Sequence, residues 1–345
     1  MCETSGVLVI GAGISGMACA RTLAAAGHAV TVLDKGRGPG GRMATRVSRS
    51  GPAFDHGAQY LTARSVTFQQ QVDLWIAAGV AATWDGRFVD LNDDGPLRKT
   101  GREAERYVGT PGMSSIAASM CRSVDGLDGP HQGVRVASLE KTDAGWTAID
   151  GAGASHGPFA RCVVSVPAPQ ARELLAGPAP ALATPLGDAT VLPTWTLMLS
   201  FDEPLTLDDP FDAAFIERAD NELALVCHNS TKPGRPPIAD AGDCWVAHAQ
   251  SDWSQQHLED DPVTVAATLI TALSRAVRRP LPSPTYAAAH RWRYANATEP
   301  LTDRWLYDPD LGLGVCGDAC TAGSHTNIER AYLSGLGLGE RLADA

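Results

Sequence analysis

Val7-Leu8-Val9-Ile10-Gly11-Ala12-Gly13-Ile14-Ser15-Gly16 is the stretch that decides the fold. Four apolar residues read as a buried strand, a Gly-rich turn follows, and the Ala-rich residues after it, closing at Gly27, read as a helix. Ala29-Val30-Thr31-Val32-Leu33 is then a second strand, so residues 7 to 34 form a βαβ unit. In that context the G-x-G-x-x-G spacing reads as a dinucleotide-binding turn. Gly11 permits the tight turn, Gly13 lets the backbone approach a pyrophosphate, and Gly16 lets helix and strand pack closely. Ile14 and Ser15 open the helix, whose free N–H groups and partial positive charge face the phosphates. Asp34 ends the second strand, where a carboxylate can accept hydrogen bonds from an adenosine ribose.

The turn alone does not separate NAD from FAD, but the residues after it do. Asp34-Lys35-Gly36-Arg37-Gly38-Pro39-Gly40-Gly41-Arg42-Met43 adds a second glycine pair and an arginine. The extra glycines let a loop fold over the cofactor, and Arg42 can neutralise the pyrophosphate of a buried FAD. Gly41, Met43 and Lys35 are counted with the cofactor-binding residues, although a solvated basic loop is the simpler reading for the charges of Lys35 and Arg37. Far along the chain, Gly312-Leu313-Gly314-Val315-Cys316-Gly317-Asp318 is a short apolar strand ending in Gly-Asp, and Ile328 to Leu342 is an Ala/Leu/Gly-rich helix. Flavoproteins of this architecture use such an aspartate for the ribityl chain or pyrophosphate, and the start of the following helix for the flavin C2 carbonyl. The helix dipole there stabilises negative charge on the ring. Asp318 and Ile328 are therefore assigned to the FAD site, together with Val136.

Composition sets the frame for these motifs. A chain of 345 residues exceeds what one core usually organises, so two domains are expected. With 44% hydrophobic and 19% charged residues it can bury a sizeable core. A net charge of −11 argues against nucleic acid or anionic lipid as partner and favours a small molecule. The first residues lack the basic region of a secretory signal and no apolar run is long enough to span a bilayer, so a cytoplasmic protein without membrane contact is expected. Eight cysteines are scattered without a C-x-x-C pair and read as reduced thiols. Cys316 and Cys320 have only His325 nearby as a further ligand, so no metal site is expected.

Between the two ends, residues 36 to 62 read as an extended Gly- and Arg-rich loop, and Phe68, Val72, Trp75 and Ile76 mark a helix. Met113, Ile116, Ala117 and Met120 mark another, Val134 to Ile149 a hairpin turning at Asp143-Ala144-Gly145, and Arg161 to Val166 a buried strand stopped by Pro167. Strand-like runs at Trp195 to Phe201 and Ala224 to Cys227 lie within a Pro-punctuated region that reads as the second domain.

Longer segments carry a family resemblance. Phe54-Asp55-His56-Gly57-Ala58-Gln59-Tyr60-Leu61-Thr62-Ala63-Arg64, Tyr107-Val108-Gly109-Thr110-Pro111-Gly112-Met113-Ser114, Asn229-Ser230-Thr231-Lys232-Pro233, Ser251-Asp252-Trp253-Ser254 and His290-Arg291-Trp292-Arg293-Tyr294-Ala295 run in collinear order. In these the chain resembles the bacterial renalases, flavoproteins related to the amine oxidases, over nearly its whole length. The resemblance implies a p-hydroxybenzoate-hydroxylase-like α/β fold. A Rossmann-type FAD-binding domain (1–63, 104–170 and 286–345) would carry a second, β-sheet substrate domain (64–103 and 171–285). It also implies oxidation of 2-dihydro or 6-dihydro isomers of NAD(P)H to NAD(P)+, with electrons passed to molecular oxygen as hydrogen peroxide. Asn229, Trp292 and Tyr294 would line the substrate pocket, and Gln59 and Tyr60 would lie near the flavin. One departure follows the Gly-Asp segment. Where the family reads Gly, Arg, Val, Glu, Gly, Ala, this chain reads Gly323-Ser324-His325-Thr326-Asn327-Ile328-Glu329-Arg330-Ala331, with some three residues inserted and Arg330 in place of glycine. Thr326 or Asn327 can still cap the helix.

Hydride transfer from a dihydropyridine needs positioning and a dry pocket rather than a nucleophile or paired carboxylates, so the lack of an acid/base constellation fits. Asp55-His56, His228 and His290 read as structural. Trp292 and Tyr294 alternate as on one strand face, which suits either sheet packing or an aromatic wall. An amine oxidase or flavin-dependent desaturase shares both halves of the clamp, and so does a non-catalytic FAD-binding redox protein; these remain the alternatives.

Overall fold

Val7–Ile10 is buried along its whole length because both of its edges are paired and both faces are covered. It lies parallel to Val30–Asp34 on one side and to Arg161–Val164 on the other. Leu313–Val315 continues the sheet in parallel beyond Arg161–Val164, Leu127–Gln132 beyond Val30–Asp34, and Leu306–Asp308 closes one edge antiparallel. The two chain ends that carry the dinucleotide motifs are thus strands of one six-stranded sheet. This structure, a computed structural model, describes residues 6–49, 51–91, 98–99, 104–122, 124–218, 220–320 and 326–344. Cys2 and the Gly323-Ser324-His325 part of the inserted stretch lie outside them.

Helix Ile14–Ala25 packs on this sheet, and the C-terminal helix Asn327–Ala343 packs on it in turn. Glycines allow the approach. A Cβ on Gly335 would lie 1.9 Å from the Ser15 carbonyl oxygen, and one on Gly339 2.8 Å from Thr22 Cβ. The segment after Asp34 is more structured than a plain loop: Gly41–Met43 is a single helical turn, and Thr45–Val47 pairs with Ala53–Asp55. The pairing holds because Phe54 is buried and stacks on Tyr286, while Thr45 bonds Asp55 beneath the hairpin. Val136–Thr142, Gly145–Asp150 and Ser155–Phe159 form a small antiparallel sheet, one strand larger than the expected hairpin.

The second layer is a seven-stranded, mostly antiparallel sheet. Its order runs Tyr286–Glu299, Thr190–Phe201, Asp243–Ala249, Leu223–His228, Ala213–Ile216, Phe88–Leu91, Arg98–Lys99. Helix Pro262–Ala276 covers one face with Val265, Leu269 and Leu273, and Asp261 caps it through Val263 N and Thr264 N. Residues 286–299, grouped by sequence with the first domain, are an edge strand of this second sheet. Conversely Val66–Ala77, grouped with the substrate domain, packs Phe68, Val72 and Trp75 into the core beneath Ile14–Ala25, with Phe68 and Trp75 against Tyr332 of the C-terminal helix. Local patterning assigns each segment its element, but the layer it joins depends on partners far away in sequence. Among the described residues no helix is long and apolar enough to cross a membrane, and no group of three His, Cys, Asp or Glu can hold a metal ion.

Candidate functional site

Two helices point their N-termini into one cavity. It has a volume of about 450 Å³, and Gly13, Ile14 and Ser15 of the first helix and Thr326, Asn327 and Ile328 of the last all line it. Neither start carries a side-chain cap: Gly13 has no side chain to offer, and the Thr326 hydroxyl donates to the Thr62 carbonyl (3.4 Å) instead of bonding back to its own helix. The capping role expected of Thr326 or Asn327 is therefore not taken up, and Asn327 Oδ1 accepts from Arg330 at 2.5 Å. Uncapped N–H groups at two helix starts give the cavity two seats for negatively polarised oxygens.

The glycines of the turn divide their work. A Cβ on Gly11 would lie 2.2 Å from the Ser165 carbonyl oxygen, and one on Gly16 2.0 Å from that of Gly11, so both are needed for strand and helix to close together. Gly13 has nothing within 4 Å of its absent Cβ; it faces the cavity. Asp34 is half-buried behind this turn and accepts from Ala12 N and Gly36 N, both at 2.6 Å. It is not among the described residues lining the cavity, and each of its oxygens keeps a lone pair for a ribose hydroxyl. Lys35 is exposed and its Nζ donates to Gln170 Oε1 (3.1 Å), which places it on the surface loop. Gly41 is exposed beside Gly13, with 3.6 Å from its absent Cβ to Gly13 Cα, and Val136 is half-buried in the small sheet; neither lines the cavity.

Arg42 joins the distant halves. Its guanidinium donates two bonds of 2.6 Å to the Asp318 carboxylate and a third of 3.1 Å to the Ala295 carbonyl. Arg42, Met43 and Asp318 all line the cavity. Arg330, one turn inside the last helix, is buried and donates to the Ala297 carbonyl (2.7 Å), so it braces that helix against the second sheet rather than lining the cavity.

The opposite wall comes from the second layer. Gln59, Tyr60, Thr194, His248, Trp292 and Asn296 face the space. Trp292 is held by its indole N–H on the His56 carbonyl (2.8 Å) and by ring contacts with His56 and His290 at 5.0 and 4.6 Å between centroids. Between the pairs Thr194/Trp292 and Leu192/Asn296 the strand carries two extra residues. That bulge breaks the alternation that groups Tyr294 with Trp292, and Tyr294 is not among the described lining residues. Asn229 is not among them either: it is 2% exposed, donates to the Ala53 carbonyl (3.0 Å) and accepts from Asp55 N (3.3 Å), so it pins the hairpin behind the wall.

Behind Gln59 lies a buried ionic cluster that sequence reading passed over. Asp55 accepts from Lys232 Nζ (3.0 Å), Arg235, Met113 N (2.9 Å) and Thr45 Oγ1 (2.8 Å). Burial pushes the Asp55 carboxyl up, but Lys232 and Arg235 outweigh it and hold the group down to about 2. Three histidines are held neutral. Burial pulls His248, His56 and His290 down to about 4, with Lys232 adding to the effect at His248, His290 and Arg46 at His56, and Arg46 at His290.

The residues fit FAD: an uncapped helix start with open space over Gly13 for the diphosphate, a paired Asp318–Arg42 for the ribityl and phosphate oxygens, and a second helix start for the ring. Comparison with known proteins agrees. Residues 9–72 match the NAD(P)-binding Rossmann-like domain, and residues 75–338 match the flavin containing amine oxidoreductases. The chain belongs to the flavin-containing amine oxidoreductase family. Its fold is that of a protein described as a protoporphyrinogen oxidase from Exiguobacterium sp. 255-15 (TM-score 0.73, 12% identity, 98% of each chain). A double mutant of putrescine oxidase is similar too (TM-score 0.69, 12% identity, 99% of each chain). Over 60 residues the chain is 50% identical to hydroxyneurosporene desaturase of Cereibacter sphaeroides, and over 61 residues 46% identical to protein FLOWERING LOCUS D of Arabidopsis thaliana. Those stretches are 17% of this chain and span only 12% and 8% of the two curated relatives. This member of the family is an FAD-dependent oxidoreductase.

Proposed function

We propose that the chain oxidises 2-dihydro or 6-dihydro isomers of NAD(P)H to NAD(P)+ and passes the electrons to oxygen, giving hydrogen peroxide. One observation carries the choice of substrate: among the described residues of the cavity wall the single carboxylate is Asp318, already paired with Arg42. A protonated amine finds no free acid there. A neutral dihydropyridine needs none, and Trp292 offers its ring a flat apolar face. The resemblance in the segments around Gln59, Lys232 and Trp292 supports the same reading.

FAD supplies the hydride acceptor and the route of electrons to oxygen. The protein's own part is positioning. Trp292 and Tyr60 wall the ring, Gln59 and His248 offer it hydrogen-bonding groups, and the neutral histidines leave no charged imidazole to repel the cationic product that forms. No side chain has to accept a proton, because the hydride leaves with its electron pair. Turnover of each isomer in air tests the proposal: NAD(P)+ and peroxide should appear in equimolar amounts. Turnover of primary amines or of an apolar alkene precursor, with none of the isomers, would move the assignment to an amine oxidase or desaturase.

A further inference from the structure

Lys232 does not line the cavity, yet its side chain is 0% exposed and it reaches the wall through one residue. Its ammonium donates to Asp55 Oδ2 and to Gln59 Oε1, each at 3.0 Å. A carboxamide can sit in either of two flips, and an ammonium has no acceptor, so Lys232 admits only the flip that gives it the oxygen. The Gln59 amide nitrogen then points the other way, to the carbonyls of Asp55 and Gly57 and to His248 Nε2 at 3.2 Å. Gln59 and His248 are both cavity residues.

We propose that Lys232 is a positioning residue: from behind the wall it fixes the flip of the Gln59 carboxamide, and through it the ring of His248, so that the substrate meets an ordered amide–imidazole pair. The proposal rests on the reading that the oxidised substrate occupies this cavity. Lys232 also acts at a distance as a buried positive charge. His248 meets Lys232 from the segment after Leu223–His228, His56, Gln59 and the Gly57 backbone from the hairpin side, and the uncharged residues Thr196 and Leu225 opposite it on the two neighbouring strands. Burial is the larger cause of the low His248 value and Lys232 the next. Taking the ammonium away therefore raises the value, and the ring takes up a proton at a higher pH.

The test uses holoprotein with histidine labelled for NMR. In the wild type the His248 ring should stay neutral down to about pH 4. In Lys232→Met its titration should move toward the ordinary histidine range, and the rate constant for flavin reduction by substrate should fall as pH drops through that new midpoint. An unmoved His248 titration overturns the proposal. Because this measurement needs no substrate, it stands apart from the identity of the donor. If Lys232→Met does not fold, Gln59→Leu cuts the amide link and leaves the Asp55–Lys232 pair intact. In that variant the His248 ring nitrogens should shift, and flavin reduction should slow by about tenfold with FAD content unchanged. Unshifted ring signals in Gln59→Leu would equally refute the role.

Discussion

Replacing Gly335 by alanine puts one methyl where the structure has none to spare. The new Cβ would lie 1.9 Å from the carbonyl oxygen of Ser15, 2.7 Å from its carbon and 2.9 Å from its Cα, where Cβ contacts under 3.0 Å essentially never occur and ordinary contact lies at 3.4–4 Å. All three are backbone atoms, so no side chain can swing aside, and the two helices must part by about 1 Å. Overpacking of this kind costs about 1–3 kcal/mol. The site matters because Ser15 stands in the first turn of the helix whose start faces the cavity, so the movement drags the diphosphate seat with it. Denaturant titration of the FAD-free protein should show a lower midpoint with unchanged slope. FAD affinity by fluorescence quenching should weaken by about tenfold for each 1.4 kcal/mol carried into the seat. A midpoint and an affinity both equal to wild type would refute the reasoning that this glycine is required for close approach.

Arg42→Met leaves the 6% exposed Asp318 carboxylate without its partner, and the purified protein should lose FAD on gel filtration at least tenfold more readily than wild type. Asp34→Ala removes the acceptor of Ala12 N and Gly36 N, so FAD retention should fall while the spectrum of the remaining holoprotein is unshifted; a shifted spectrum would place Asp34 at the ring. The lowered Asp55 value means the carboxylate contributes stability above the unfolded value of 3.8, about 2 kcal/mol, which is lost as pH falls through about 2. Acid unfolding followed by circular dichroism should therefore steepen below pH 4, and Asp55→Asn should flatten that limb while lowering stability at neutral pH.

The parts of this protein that were legible in sequence are those whose meaning is local. Gly11, Gly13 and Gly16 announce a turn because their spacing and flanking periodicity are contained in a dozen residues, and Gly317-Asp318 after an apolar run does the same. Trp292, Gln59 and Tyr60, singled out through matching segments, all line the cavity. Other residues depend on what a distant segment brings. Asn229 sits in a matching segment but is spent on Ala53 and Asp55, and the bulge opposite Thr194 separates Tyr294 from Trp292. His248 and Lys232 gave little signal: a histidine in Trp245-Val246-Ala247-His248-Ala249 and a lysine before a proline are ordinary in isolation. The clue was joint. Asp55 within Phe54-Asp55-His56, Lys232 in another matching segment and Arg235 just beyond that segment are charges whose burial together is explained by their pairing. The strand Tyr286–Glu299 likewise shows its period but not its sheet.

The central claim is the choice of electron donor, and anaerobic stopped-flow mixing of FAD-loaded protein with separately prepared donors tests it most directly. Rapid bleaching of the flavin by a 2-dihydro or 6-dihydro isomer, with slow or no bleaching by ordinary 4-dihydro NADH or by putrescine, is the predicted result. Bleaching by amines alone, or by no donor of either class, would contradict it.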